Sequence, residues 1–389
     1  MPWNVQSPQP RSSNELYAIA LDSNRVARQR CSSRQFLHCA AVILATMGAV
    51  ASYAAEPPPD TESPAKKRSP WLVLPVVSSN PKLGTTGGFL TAYLHNFDAE
   101  SRVSLFGITA QYTTTHSLIG SLFARTSFGA DHHRVNGIVV YGNIKNDYDD
   151  YLGTGQPLKT NDDVRAFGGR YMYRFKGDWF AGGQALLTNY QVFGDSVEDD
   201  LVIETLGVKG FKSGGLGAVM MHDSRDNQDM PTRGWYANFN NVAYHEWLGG
   251  DNDFDVYRLD TRAFWEHGGG HVFGLRQFNQ ITVDAPGAAQ ATVQLRGYKM
   301  GQYLAKNMSS LEVEERFHIA KRWGATLFVG GAWLYGGETT ATSSEGFYPS
   351  YGGGFQFIIK PVQRMLANLE YAYGNSDNSG IYLKLGYAW

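Results

Sequence analysis

The sequence predicts an all-β protein, an antiparallel transmembrane β-barrel of about sixteen strands with both termini on the periplasmic side. Three observations predict it. From residue 71 onward the chain divides into segments of about ten residues separated by turn signals, with no convincing helix among them. Many segments alternate: Tyr257, Leu259, Ala263 and Trp265 oppose Arg258, Asp260, Arg262 and Glu266, and Phe167, Tyr171, Tyr173 and Phe175 oppose Arg170, Arg174 and Lys176. The polar side carries full charges, which a watery bore accepts more readily than a solvated sandwich face would require.

Taken in order, the strands of the first half are read at 71–79, 84–95, 102–113, 117–129, 133–145, 164–175, 178–191 and 212–224. Those of the second half follow at 233–246, 252–267, 270–285, 307–319, 323–336, 350–360, 364–374 and 379–389. An even count puts both barrel ends on one side. Short connections (96–101, 130–132, 176–177, 268–269, 320–322, 361–363) then fall together on the periplasmic side. The long ones (146–163, 192–211, 286–306, 337–349) fall together outside, the asymmetry usual in outer-membrane barrels.

Upstream, basic residues Arg28, Arg30 and Arg34 precede an apolar run over residues 36–50 and a small-residue end at Ser52–Tyr53–Ala54. This reads as a secretory signal peptide over 1–54, with a long n-region that fits a start codon further downstream. Residues 55–70 read as a disordered, proline-rich linker, and 71–389 as the barrel. Both cysteines, Cys31 and Cys39, lie in the signal segment, so the mature chain has no thiol chemistry. The 389 residues carry a net charge of −2 with 44 glycines and 13% aromatics, a balance that argues against a nucleic-acid partner.

Four motifs resemble one family. "DSRDNQDMPTRGW" is similar to an Asp-x-Arg-Asp-Asn…Pro-Thr-x-Gly periplasmic hairpin, here Asp223, Arg225, Asp226, Asn227, Pro231 and Gly234. "QLRGYKMGQY" resembles an Arg-Gly-aromatic tip of a long sixth outer loop, here Arg296, Gly297 and Tyr298. "SSLEVEERF" resembles the strand after that loop, and the chain ends with Gly386, Tyr387 and Trp389 in the manner of a terminal barrel signal. Together they resemble the BamA/TamA-type barrels, the bacterial surface antigens, in a short form without POTRA domains.

The resemblance implies that Arg296 folds back into the lumen and pairs with Glu312. Alternation independently places Glu312, Glu314, Arg316 and His318 on one polar face. Gly330 stands where relatives carry a second lumen acid, which implies one wall partner fewer for Arg296. Glu315 falls on the lipid face and predicts a bulge or local register change nearby. In the hairpin, Pro231 and Gly234 shape the turn, Asp226 and Asn227 bond its backbone, and Asp223 with Arg225 order a wet rim.

The function implied is assembly or translocation of proteins at the bacterial outer membrane. Its partners would be outer-membrane lipid and lipopolysaccharide, client outer-membrane or secreted proteins, and a periplasmic recruiting protein. The alternative is a passive channel or structural protein that keeps the fold without that role. No cofactor, metal or catalytic residue is assigned. His222–Asp223–Ser224 has triad residue types, but strand neighbours point to opposite faces. His132–His133 and the acidic runs 146–151 and 197–200 read as surface residues, and Trp235, Trp265, Trp323 and Trp389 as interfacial girdles.

Overall fold

The computed structural model describes residues 69–80, 84–148, 157–205, 210–337, 344–361, 364–375 and 378–385. The signal peptide, most of the linker, and Gly386, Tyr387 and Trp389 lie outside the described residues.

Sixteen antiparallel strands close into one barrel. The first half comprises β1 (Trp71–Asn80), β2 (Gly84–His95), β3 (Ser104–Thr113), β4 (Leu118–Phe128), β5 (His133–Tyr148), β6 (Leu158–Lys176), β7 (Trp179–Gly194) and β8 (Phe211–Asp223). The second comprises β9 (Gly234–Tyr244), β10 (Phe254–Glu266) and β11 (Val272–Val283), then β14 (Asn307–Ala320), β15 (Trp323–Tyr335), β16 (Gly346–Lys360), β17 (Met365–Tyr373) and β18 (Ser379–Leu385). Between β11 and β14 a separate two-stranded ribbon, β12 (Ala291–Thr292) with β13 (Leu304–Ala305), forms the neck of an inserted loop.

Alternation sorts the side chains as a barrel in lipid requires. On β15, Leu327 and Val329 face outward and exposed, whereas Phe328 between them is buried. Trp235, Trp265 and Trp323 sit exposed near strand ends, and amphipathic rings there suit a membrane interface. The exposed, outward-facing aromatic and aliphatic side chains run around the whole sheet, while inward positions carry the charges.

Two segments correct the sequence reading. Residues 197–200 begin a short helix, α1 (Val197–Thr205), not a solvated loop. Its start is capped by Ser196: Asp199 N donates to Ser196 Oγ (3.1 Å), whose hydroxyl donates to Asp199 Oδ2 (2.8 Å). Three acids in its first turn also favour the positive helix end. The second correction is β6, which starts at Leu158 instead of residue 164. Its polar extension pairs with β5, where Asn146 Nδ2 donates to Thr160 Oγ1 (2.8 Å) and to Asp162 Oδ2 (2.6 Å).

Candidate functional site: two inserts that fill the bore

The barrel has a turn end, where most connections are tight, and a loop end. One insert enters from each. From the loop end, residues 293–303 descend between opposite walls. On one wall Lys299 Nζ donates to the carbonyl of Asp147 on β5 (3.0 Å). On the other, Gly297 N donates to Tyr382 Oη on β18 (2.9 Å), and Ser350 Oγ on β16 donates to the carbonyl of Arg296 (2.6 Å). Tyr298 Oη donates to the Pro349 carbonyl (2.6 Å) and accepts from Asn375 N (2.7 Å). Burial pushes that phenol up to about 12, so it stays neutral and can donate.

Arg296 anchors this insert. Its Nη2 lies 2.9 Å from Glu312 Oε1, while its Nη1 lies 2.9 Å from Glu314 Oε2 and 3.2 Å from Glu370 Oε1. The Phe328 ring lies under the guanidinium, 3.4 Å from its centroid. Burial alone would lower the arginine's pKa; Glu312, Glu314 and Glu370 outweigh it and raise it. Arg296 therefore meets three carboxylates, not one partner fewer. The third comes from β17, and the absent side chain at Gly330 has a different use. A Cβ there would stand 2.9 Å from the Leu311 carbonyl oxygen and 3.2 Å from Glu312 Cβ, displacing the acid. Gly297, at φ +96°, permits the turn that sends its amide to Tyr382.

From the turn end, residues 224–233 fold back under the bore. Asp226 Oδ1 accepts from the amides of Thr232 (2.8 Å) and Arg233 (3.2 Å), and Asn227 Oδ1 from those of Asp229 (2.8 Å) and Met230 (2.7 Å). Gly234 closes the turn at φ +96°, where a Cβ would lie 2.3 Å from the Ser224 carbonyl oxygen. Pro231 is buried and its carbonyl accepts from Arg316 Nη1 (3.0 Å). The charge on this turn holds it to widely separated strands. Arg125 on β4 chelates Asp229 (3.0 Å to each oxygen), and Arg364, after β16, donates to Asp226 Oδ2 (2.7 Å).

Asp223 is buried, not at a wet rim. Its carboxylate is shared by Arg102 Nη1 (2.8 Å), Arg134 Nη1 (3.1 Å) and Arg225 Nε (2.7 Å). Asp131, in the β4–β5 turn, holds Arg134 (2.7 Å) and Arg174. His222 points the opposite way and stacks on Trp235, with centroids 3.8 Å apart, so His222 and Asp223 form no relay. His133 stacks on Phe128 and bonds Tyr171 Oη (2.9 Å). Glu315 faces outward, and its Oε1 accepts from His267 Nε2 (2.8 Å). The register shift expected near Glu315 lies three residues on, between His318 and Ala320, and the His267 partner satisfies the acid itself.

Sequence reasoning missed Glu370, Arg102, Arg134, Arg364 and Tyr382. Alternation along β17 does put Asn368 and Glu370 on one buried face, but the loop that meets them is distant in sequence.

No protein-family model and no curated protein sequence matches the chain. Among solved structures, the fold is similar to CdiB from Escherichia coli, with TM-score 0.57 at 12% identity over 82% of this chain and 63% of that one. It is also similar to CdiB from Acinetobacter baumannii (TM-score 0.53, 12% identity, 82% and 60% covered). BamA from Haemophilus ducreyi lacking POTRA domains 1–3 gives TM-score 0.52 at 13% identity, with 82% and 70% covered. The chain thus spans less than two thirds of both CdiB chains. At these identities the likeness is one of fold: a sixteen-stranded antiparallel barrel of the BamA and CdiB kind.

Proposed function

We propose that this chain is a bacterial outer-membrane barrel of the surface-antigen type that inserts or exports polypeptides at the junction of its first and last strands. The seam carries the reading. Among the described residues, β1 and β18 are in ladder register at Ser79↔Ile381, whereas β1 and β2 pair along their length from Trp71↔Tyr93 to Asn80↔Gly84. Pro75 offers no amide hydrogen to any ladder. A lightly paired edge can template an incoming strand by main-chain hydrogen bonding, and the filled bore leaves that edge as the natural place for a client.

The reading is tested by photocrosslinking in cells from Val73, which is exposed on the outward face of β1, and from Leu383 on β18. Adducts to nascent outer-membrane or secreted proteins are expected. Adducts only to lipid or to the barrel itself would instead favour a structural role, for which the dense ion pairing at both ends of the bore is the supporting observation.

A further inference from the structure

A cavity of about 330 Å³ lies inside the bore, between the 224–233 turn and the wall built by β4 to β10. Six arginines line it (Arg102, Arg125, Arg134, Arg170, Arg225 and Arg262) against two carboxylates, Asp223 and Asp229. Asp223 is already divided among three guanidiniums, and Asp229 is chelated by Arg125. Arg262 shares Asp260 with Arg276. Among the described residues Arg170 pairs with no carboxylate: its Nε and Nη2 both donate to the neutral Gln184 Oε1, at 3.0 and 2.5 Å. Arg125 Nε is buried without a hydrogen-bond partner. Asp131 holds Arg134 (2.7 Å) and lies 3.5 Å from Arg102, yet positive charge stays in excess, which is costly in a part-buried space unless something neutralises it.

The geometry of the lining says what would. The Tyr236 ring covers Arg225 (4.5 Å from centroid) and Arg262 (5.3 Å), so stacking occupies guanidinium faces and leaves N–H edges to donate. Neutral donors Asn136 and Gln228 share the rest of the wall with apolar Met172, Met221 and Phe264. A carboxylate would offset one charge. A phosphoryl group brings about two charges and three strong acceptor oxygens, which suit several converging forks. An adjoining cavity of about 230 Å³ shares Arg102, Arg125, Gln228 and Asp229 and extends past Asp226 and Asn227 beside the turn. The pair could hold a pyrophosphate or a phosphorylated headgroup.

We propose that the bore contains a binding site for a phosphoryl anion, seated on Arg170 and Arg125 and covered by the 224–233 turn. It stands apart from the seam and does not depend on what happens there. The test is isothermal titration calorimetry of the full chain in zwitterionic micelles, with folding checked by heat-modifiable gel migration. Sodium pyrophosphate and, separately, dihexanoylphosphatidic acid are the titrants. Saturable binding is expected in the native chain, weakened about tenfold or more by Arg170→Gln, the loss of one charge-assisted contact, and restored by Arg170→Lys.

Binding of pyrophosphate would identify free phosphates as occupants. Binding of the phosphatidic acid alone, with the same Arg170→Gln loss, would identify a lipid headgroup at the same site. If Arg170→Gln does not fold, Asn136→Asp replaces it, since a new carboxylate in the lining must weaken either anion comparably. No saturable binding of either titrant, or equal affinity in the variants, overturns the proposal.

Discussion

Glu314 and Arg316, two residues apart on β14, join the two inserts of the bore. Glu314 Oε2 receives Arg296 (2.9 Å) from the loop-end insert, and its Oε1 receives Arg316 Nε (2.6 Å). Arg316 then reaches the Pro231 carbonyl in the turn-end insert (3.0 Å). A continuous chain of charge-assisted contacts therefore runs from one end of the lumen to the other. Its rigidity rests on a strand, whose period of two sets both side chains on the inner face.

Glu314→Gln should loosen both inserts together. Each arginine loses a charged acceptor, a contact worth roughly 1.5–3 kcal/mol. Arg296 retains Glu312 and Glu370, so the barrel should still assemble. Hydrogen exchange is expected to quicken at Gly297–Tyr298 and also at Met230–Thr232. Faster exchange in only one of the two would show that the inserts move independently.

Gly354, beside the acid cluster, and Gly169, on β6, separate close approach from mere flexibility. A Cβ at Gly354 would meet the Leu369 carbonyl oxygen at 2.2 Å and Glu370 Cα at 2.8 Å, all backbone that cannot swing aside. At Gly169 nothing lies within 4 Å. Gly354→Ala should therefore lower the unfolding temperature clearly, as overpacking costs about 1–3 kcal/mol. Gly169→Ala should be neutral or slightly stabilising, by up to about 1 kcal/mol. Thermal shifts of gel migration would rank the two; the reverse order would discredit this packing.

How much of this was legible in the sequence follows from range. The sixteen strands were readable because alternation is local, and the described ends of most differ from the reading by only a few residues. The start of β6 was not readable, since "LKTNDD" has the polarity of a loop; it is a strand because Asn146, Thr160 and Asp162 bond one another across the ladder. Helix α1 did have a local signal, Ser196 with Asp199 three residues later, but it was overshadowed by the run of acids. The site divides in the same way. The inward facing of Glu312 and Glu314 follows from period two. Glu370 and Arg296 meet only because the sheet curves closed and a loop crosses the bore, which no local pattern encodes.

Acid should loosen the turn end. Burial tends to raise the Asp226 carboxyl, but the hydrogen bond from Arg364 and the amides of Thr232 and Arg233 outweigh it, leaving it below its ordinary 3.8. For Asp131, burial is likewise outweighed by Arg134 and Ser127, and its value is lowered too. Groups depressed on folding contribute stability that is complete above the unfolded value and is lost as pH falls through the folded one. Melting temperature should thus hold, as far as these two acids are concerned, from neutrality down to about pH 4 and fall below it. Asp226→Asn should shrink that acid-dependent fall. An unchanged profile in the variant would remove Asp226 from the account.

The last prediction concerns the bore itself. If residues 293–303 fill it, the native barrel should show little conductance in a planar bilayer, despite a strand count that in open barrels of this size surrounds an aqueous channel. Arg296 is the anchor with the most to lose. Arg296→Ala removes the guanidinium that Glu312, Glu314 and Glu370 share in a buried setting, where breaking a pair costs about 3–5 kcal/mol. Mutual repulsion then opposes the closed state, while the hydrogen bonds of Gly297, Tyr298, Lys299 and the residue-296 carbonyl still hold the loop. Open events should become longer and larger in this variant. A native barrel that already conducts as a wide, steady pore would show that the loop does not occupy the lumen in a membrane. A variant as silent as the native chain would show that Arg296 is not what keeps it there.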